Sequence, residues 1–271
     1  MTIAVKVVAH SGWPGSPDLI TLQCRYPRFI HAEFMTHRVF SRNASSSRAI
    51  PIERMIQDVI DDPAMPVSWG SNKPGMQAGN DLDETDAREA QQIWLLARDL
   101  AVDQARSMVR LNAHKQIVNR LLEPFGHISV VVTATEWDNF FTLRCHPAAD
   151  PTMRALAEAM RDAIAGSTAV EPLGGWHLPY ISEGDLAGRR PFIGGYLAAF
   201  ASAARCARVS YLNHDGTNPD VEKDLALADR LRESCHMSPF EHQAQVTRNE
   251  GTAMWGNFTG WDQFRKMLEQ E

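Results

Sequence analysis

The sequence predicts one α/β domain with insertions. Residues 3–9 are rich in β-branched side chains, residues 19–26 alternate loosely, and 128–134 is an apolar run, each as a strand would be. Residues 86–112 repeat apolar side chains at helical spacing through Ala90, Ile93, Trp94, Ala97, Leu100, Ala101, Ala105, Met108 and Val109. The 271 residues, 44% hydrophobic and 22% charged, have an ordinary globular balance and enough length for a substantial core.

The elements follow in chain order. A first strand, 3–9, meets a Gly/Pro turn from His10 to Pro17, and a second strand, 19–26, is stopped by Pro27. Phe29 to Met35 reads as a short apolar helix that carries Glu33 and delivers the polar stretch 36–48. Pro51 can open a helix over 51–60 through Ile52, Met55, Ile56 and Val59. Residues 62–86, rich in Pro, Gly, Asn and Asp, form a long loop insertion that contains Trp69 and Met76; such loops are either lids or plain surface excursions. The long helix 86–112 is followed by a shorter one, 113–122, before Pro124. After the strand 128–134 and the run Trp137 to Arg144, Asp150-Pro151 is a cap and first-turn signal for a helix to about 165, closed by Gly166. Residues 167–196 read as loop, 197–210 as helix, and Asn218-Pro219 opens a helix to about Cys235. A strand at 243–248, the stretch Gly256 to Trp261 and a short helix complete the chain.

Net charge is -6 with a sequence pI near 5.9, which disfavours a nucleic-acid-binding role. Cys24, Cys145, Cys206 and Cys235 lie far apart, so neither a zinc ribbon nor a disulfide framework is suggested. No signal peptide or membrane-length apolar run is visible, and the expected setting is cytoplasmic.

The informative stretch is Thr36-His37-Arg38-Val39-Phe40-Ser41-Arg42-Asn43-Ala44-Ser45-Ser46-Ser47-Arg48. Three arginines and four serines pack poorly but grip phosphate well, through bidentate guanidinium, hydroxyl and backbone N–H donors. A polar surface loop is the plain alternative. No P-loop, dinucleotide-type glycine motif or nucleophile elbow is present. Cys145-His146 is a weak nucleophile signal, because adjacent side chains point apart. His236 and His242 lack a third metal partner nearby, so no metal is expected. Arg144 follows Phe140, Phe141 and Leu143; a partly buried guanidinium there needs a structural carboxylate or a ligand. Arg205 and Arg208 fit an i,i+3 pair with one member on the surface.

Taken together, these segments resemble the flavin-dependent thymidylate synthase family. Its signature, Arg-His-Arg-x-x-Ser-x-Asn-Glu-x-Ser-x-Arg, is matched at His37, Arg38, Ser41, Asn43, Ser46 and Arg48. Phe140 to Arg144, Ala203 to Tyr211 and His236 to His242 add further similarity. The resemblance implies a mixed sheet flanked by long helices in a single domain spanning 1–271. In the family the last two segments precede the arginine-serine motif; here they follow it, so the chain looks circularly permuted. Thr36 and Ala44 replace the motif's first Arg and its Glu, and Glu33 stands where Gln is usual. These departures resemble bacteriophage-like members, some of which hydroxymethylate pyrimidine nucleotides.

The resemblance implies transfer of a one-carbon unit from methylene-tetrahydrofolate to C5 of a pyrimidine deoxynucleotide monophosphate. The leading reaction is dUMP to dTMP, with FAD as cofactor and NADPH as reductant. Hydroxymethylation of dCMP or dUMP is the alternative, and a non-catalytic flavin- or nucleotide-binding protein a second one. Arg144 would polarise the pyrimidine, with His242 as the other catalytic candidate. Glu33, Ser46, Ser47, Arg48 and Arg120 would bind substrate with Arg144. His37, Arg38, Ser41, Asn43, Asn139, Ser238, Glu241 and His242 would contact the flavin. Glu33 either faces the base or pairs with Arg38 or Arg48. The family's sites are shared within a homotetramer, and neither nucleic acid nor membrane is an expected partner.

Overall fold

The computed structural model describes residues 3–186, 191–209, 213 and 217–270. Ser210 and Tyr211 of the 203–211 segment lie outside the described residues. The architecture is α+β, and both sheets are antiparallel rather than mixed.

Strands β1 (Ala4–Trp13) and β2 (Ser16–Pro27) form a tight hairpin. The expected turn at His10 to Pro17 shrinks to Pro14-Gly15, because His10 and Ser11 stay paired with Ile20 and Leu19. Gly15 supplies the positive φ of 84° that this reversal needs. After the short helix α1 (His31–Phe34), the polar stretch yields a strand, β3 (Ser41–Ala44), where sequence predicts only loop. β4 (His127–Ala134) lies between β2 and β3, giving the order β1-β2-β4-β3. Among the described residues β3 is therefore an edge strand, and an edge tolerates polar residues that a central strand would not.

One face of this sheet is apolar. Ile20, Leu22, Cys24, Tyr26, Ile128, Val130 and Val132 pack against α5 (Asp138–Arg144) and α6 (Pro151–Ala165) through Phe140, Met153, Leu156 and Met160. The α6 cap forms as its sequence predicts: the Asp150 carboxylate accepts from the Thr152 and Met153 N–H groups at 2.9 Å.

Helices α2 (Ile52–Asp61), α3 (Glu84–Arg110) and α4 (Lys115–Leu122) make a separate layer around Met55, Ile56, Val59, Val102, Ala105, Val118 and Leu122. The expected α3 stripe is only half used. Ile93 and Leu100 are 61% and 55% exposed, as is Leu96 at 60%, so they leave an apolar face uncovered in this chain. The 62–86 loop is anchored: Trp69 packs edge-on to Trp94, whose indole N–H donates to the Ala64 carbonyl at 2.9 Å.

The C-terminal part holds β5 (Trp176–His177), α7 (Glu183–Leu186), α8 (Pro191–Arg208), α9 (Val221–Glu233), β6 (Ala244–Val246), β7 (Trp261–Gln263) and α10 (Phe264–Leu268). Residues 167–196, expected to be loop, thus contribute a strand, the short helix α7 and the start of α8. α8 comes close to β5 because Gly195 has no Cβ; one would lie 2.6 Å from the Trp176 ring. Arg205 is fully buried and the Arg208 side chain nearly so, which corrects the expectation of one member on the surface. Arg205 donates to both Asp185 oxygens and to Asp224, each at 2.8 Å, and Arg208 pairs with Asp224 at 2.7 Å. Burial alone would raise the Asp185 pKa, but hydrogen bonds from Arg205 and Ser182 outweigh it and bring it down to about 2.

The two sheets meet through buried polar side chains. On the second face of the large sheet, the Thr21 and Thr133 hydroxyls share a bond of 2.7 Å. Thr133 also bonds His242 Nδ1 at 2.8 Å, Thr21 bonds His177 Nε2 at 2.7 Å, and His177 Nδ1 bonds the Ser11 hydroxyl at 2.8 Å. Both histidines are fully buried, and burial lowers each pKa from 6.5 to about 3.

The unfolded chain therefore binds more protons than the folded one as pH falls below about 6.5. The urea midpoint is expected to hold steady near pH 7 to 8 and to fall progressively from pH 6.5 toward 3, with a shallower slope in His242→Gln. Thr133→Val, which keeps shape and removes the shared hydroxyl, is expected to cost about 1–3 kcal/mol in urea unfolding.

Candidate active site

The arginine-serine stretch reaches its position because β3 alternates its side chains. Ser41 and Asn43 turn toward the second sheet and α8, while Arg42 faces the opposite way. The Arg42 guanidinium donates to the Met35 carbonyl at 2.8 Å, holding the turn after α1. Its Nε–H is buried without a hydrogen-bond partner among the described residues.

Asn43 joins three of the segments singled out in the sequence. Its amide donates to the Cys206 and Ala207 carbonyls at 2.9 and 3.4 Å, and its Oδ1 accepts from the Ser238 hydroxyl at 3.1 Å. The two carbonyls belong to the last turn of α8, where acceptors lose i+4 partners; Cys206 keeps a tighter bond from the Val209 N–H at 3.0 Å. Just beyond, Val209 takes a left-handed conformation with φ 54°. A β-branched residue there costs about 1–3 kcal/mol. The Asn43 cap offsets part of that strain.

The best-defined polar cluster surrounds Arg144, the last residue of α5. Its Nε–H donates to His37 Nε2 at 2.8 Å, Nη1 pairs with the Glu33 carboxylate, and Nη2 faces the Thr36 hydroxyl at 3.5 Å. Glu33 thus pairs with Arg144, not with Arg38 or Arg48. The Arg144 side chain remains 20% exposed, so the cluster opens to solvent. His37 is 8% exposed. Burial first, then the charges of Arg144 and Arg42, lower its pKa to about 4.

The other expected residues divide sharply. Arg38, Ser46, Arg48, Asn139 and Ser238 are exposed. Ser47 is buried; its hydroxyl donates to Glu123 at 2.6 Å, so it is not the open phosphate donor expected. Glu123 also pairs with Arg28 at 3.1 Å and lies 3.7 Å from Arg120, which remains 64% exposed. The buried Ser41 hydroxyl donates to Asn257 and accepts from Gln263, and Glu241 pairs with Arg265. His242 is expected to line the flavin side, yet it lies wholly inside the chain, with Nε2 unpartnered among the described residues. Tertiary partners that no local pattern reveals close off these groups. The sequence reading also missed Asn119, which is fully buried and donates to the Ser47 and Ile50 carbonyls at 2.7 and 3.0 Å. Its placement between Val118 and Leu122 on a helix with a polar partner loop was the available signal.

Among the described residues no cluster of three or more His, Cys, Asp or Glu is arranged to hold a metal. No helix among them is long and apolar enough to cross a membrane.

A family model described as thymidylate synthase complementing protein matches residues 19–167. The match contains the 36–48 stretch and Arg144, and ends before the 203–211 and 236–242 segments. No curated protein matches the chain. Among solved structures, a UMP/dUMP methylase, PolB from Streptomyces cacaoi bound with 5-Br dUMP, is similar at 16% identity and TM-score 0.50, covering 60% of this chain and 90% of that one. Thymidylate Synthase X from Helicobacter pylori with FAD and dUMP is similar at 18% identity and TM-score 0.38, covering 54% and 67%.

Asn43→Ala removes the cap on α8 and the tie to Ser238. It is expected to cost about 1–2 kcal/mol and to raise amide hydrogen exchange in residues 206–209 and 238–241 ahead of the rest of the chain.

Proposed function

The chain belongs to the thymidylate synthase complementing protein family, and from that premise we propose that it modifies C5 of a pyrimidine nucleotide with the help of a flavin. The leading reaction is conversion of dUMP to dTMP, with methylene-tetrahydrofolate as carbon donor, FAD as cofactor and NADPH as reductant. The likeness to a UMP/dUMP methylase supports a pyrimidine monophosphate as substrate. The observation that carries the reading is the Arg144 guanidinium, fixed by three partners yet open to solvent.

Substitution at C5 requires negative charge to build on the ring carbonyl as C5 becomes nucleophilic. A cation already held in place stabilises that charge without reorganising at the moment of reaction. Arg144 supplies this cation. Arg48 and the Ser46 hydroxyl are the open donors for the phosphate, with Arg120 free to swing from Glu123. Arg38, Asn139 and Ser238 are the exposed groups for the flavin. A permanent cation beside two neutral donors suits the diphosphate and polar edge of that cofactor. When bound, the flavin supplies hydride. Ser41, Glu241 and His242 act behind this surface, as supports rather than contacts.

Hydroxymethylation of dCMP or dUMP is the second reading, and Glu33 admits its cytosine substrate alongside uracil. One of its oxygens is held by Arg144, which leaves the other to accept a hydrogen bond. Arginine and carboxylate side by side offer a donor and an acceptor. That pair matches the carbonyl and N–H of uracil, and equally the ring nitrogen and amine of cytosine. The exposed apolar side chains Ile93, Leu96 and Leu100 on α3 support the homotetramer, since a patch of this kind is usually covered by another protein surface. The meeting of residues 43, 206 and 238 supports a single domain of permuted chain order.

Purified protein should be given dUMP or dCMP with FAD, NADPH and methylene-tetrahydrofolate, and its products read by mass. Conversion of dUMP to dTMP alone is the expected outcome; a hydroxymethylated product would replace it with the second reading. Arg48→Ala is expected to raise KM for the nucleotide about 10- to 100-fold, the worth of a charge-assisted hydrogen bond. Ser47→Ala is expected to lower stability by about 1 kcal/mol and leave KM within about twofold.

A further inference from the structure

The geometry points to His37 as the positioning residue that orients the Arg144 guanidinium, in place of the flavin contact that its motif position implies. The inference rests on the reading of Arg144 as the cation that faces the pyrimidine.

Arg144 closes a helix of only seven residues, and its long side chain would otherwise sample many rotamers. Its direction is set by a jaw. Glu33 and His37 stand four residues apart, on α1 and the turn that ends it, and both reach the same guanidinium. The His37 N–H bonds the Phe34 carbonyl at 3.3 Å, which ties the jaw's second arm to the helix.

His37 is itself wedged. Its ring meets the Phe140 ring edge-to-face at 4.8 Å between centroids and lies 6.1 Å from Phe40. Phe140 and Arg144 are four residues apart on α5, so they share one helix face. The imidazole sits in the notch between them, perpendicular to the Phe140 ring and with Nε2 toward Arg144. Because it is 8% exposed, little of this ring is left to meet a cofactor.

The hydrogen bond also fixes a proton. An arginine Nε–H can only donate, so His37 Nε2 must carry its lone pair, and the ring proton sits on Nδ1. A protonated imidazole would lose the acceptor and oppose Arg144. With Nε committed to His37, the two Nη groups point toward Glu33 and Thr36, the side on which the pyrimidine would approach. A rotation of the guanidinium would misplace the charge by an ångström or more, and positioning errors of that size cost about a hundredfold in rate.

The test uses the full-length protein loaded with FAD. His37→Phe keeps the ring packing on Phe140 and removes the acceptor; His37→Gln keeps an acceptor. FAD affinity is read by flavin fluorescence, and kcat and KM are measured for the nucleotide at saturating FAD. The expected result is FAD affinity within about twofold in both variants, kcat down about a hundredfold in His37→Phe, and substantial recovery in His37→Gln. Loss of FAD affinity in both variants with kcat unchanged at saturating FAD would overturn the inference in favour of a flavin contact. Unchanged kcat and KM in His37→Phe would overturn it as well. A readout independent of any variant's folding, and of any turnover, is nitrogen-15 NMR of histidine in the unmodified protein. The Nδ1–H tautomer of His37 is expected from pH 6 to 8, and a proton on Nε2 contradicts the assigned bond. Absence of turnover on every pyrimidine nucleotide, with the Nδ1–H tautomer intact, would count against the enzyme reading and leave the His37–Arg144 geometry standing.

Discussion

The hydrogen-bonded run Ser11–His177–Thr21–Thr133–His242 is the constraint on which the rest of the molecule depends. These five side chains are buried between the two sheets, where water cannot replace a lost partner. The small sheet has strands of two or three residues, too short to be stable apart from the large one. Thr21 and Thr133 sit opposite each other across β2 and β4, so their register decides whether both histidines find a hydroxyl. A slip of one residue would bring Leu22 or Val132 to that face and leave two imidazoles unsatisfied. Apolar burial holds α5 and α6 to the other face, but it would tolerate more than one arrangement. The polar run does not.

Asn43 uses that fixed arrangement. It can cap α8 and receive Ser238 only because β3 is held against β4 at the sheet's edge, with Ser41 anchored to Asn257 and Gln263. Residues more than 160 positions apart in the chain therefore meet at one amide. This meeting is the physical content of the permuted-order proposal. What matters to such a site is which segments converge, and a chain can enter the same arrangement from a different end if its termini lie at the surface.

Much of this was legible in the sequence because local rules agreed with the final structure. Asp150-Pro151 predicted both the start of α6 and its cap, and the β-branched run at 128–134 predicted the central strand. β3 was hidden because Ser41, Arg42 and Asn43 carry no apolar alternation; their strand exists through pairing with β4. The α3 stripe was legible as a helix with an apolar face, but periodicity does not report what covers that face, and Ile93 and Leu100 are exposed. The burial of Ser47, Arg205 and His242 was beyond local pattern altogether. Each of these polar groups is interior because a distant residue satisfies it: Glu123, the Asp185–Asp224 pair and Thr133. The sequence overcounted the polar side chains that the chain leaves exposed, because Ser41, Ser47 and His242 are closed off by distant partners.

Arg144 joins the packed interior to the proposed chemistry. Its helix is fixed on the apolar face of the large sheet, its guanidinium is set by Glu33 and His37, and its side chain stays partly open to solvent. The central claim is that C5 of a pyrimidine nucleotide is substituted at this cluster, whichever one-carbon product results. The most direct test is release of tritium to water from dUMP, UMP and dCMP labelled at C5, incubated with the protein, FAD, NADPH and methylene-tetrahydrofolate. Release that requires the carbon donor and is lost in Arg144→Ala is the expected result. No release above the flavin-free control from any of the three nucleotides would contradict the account.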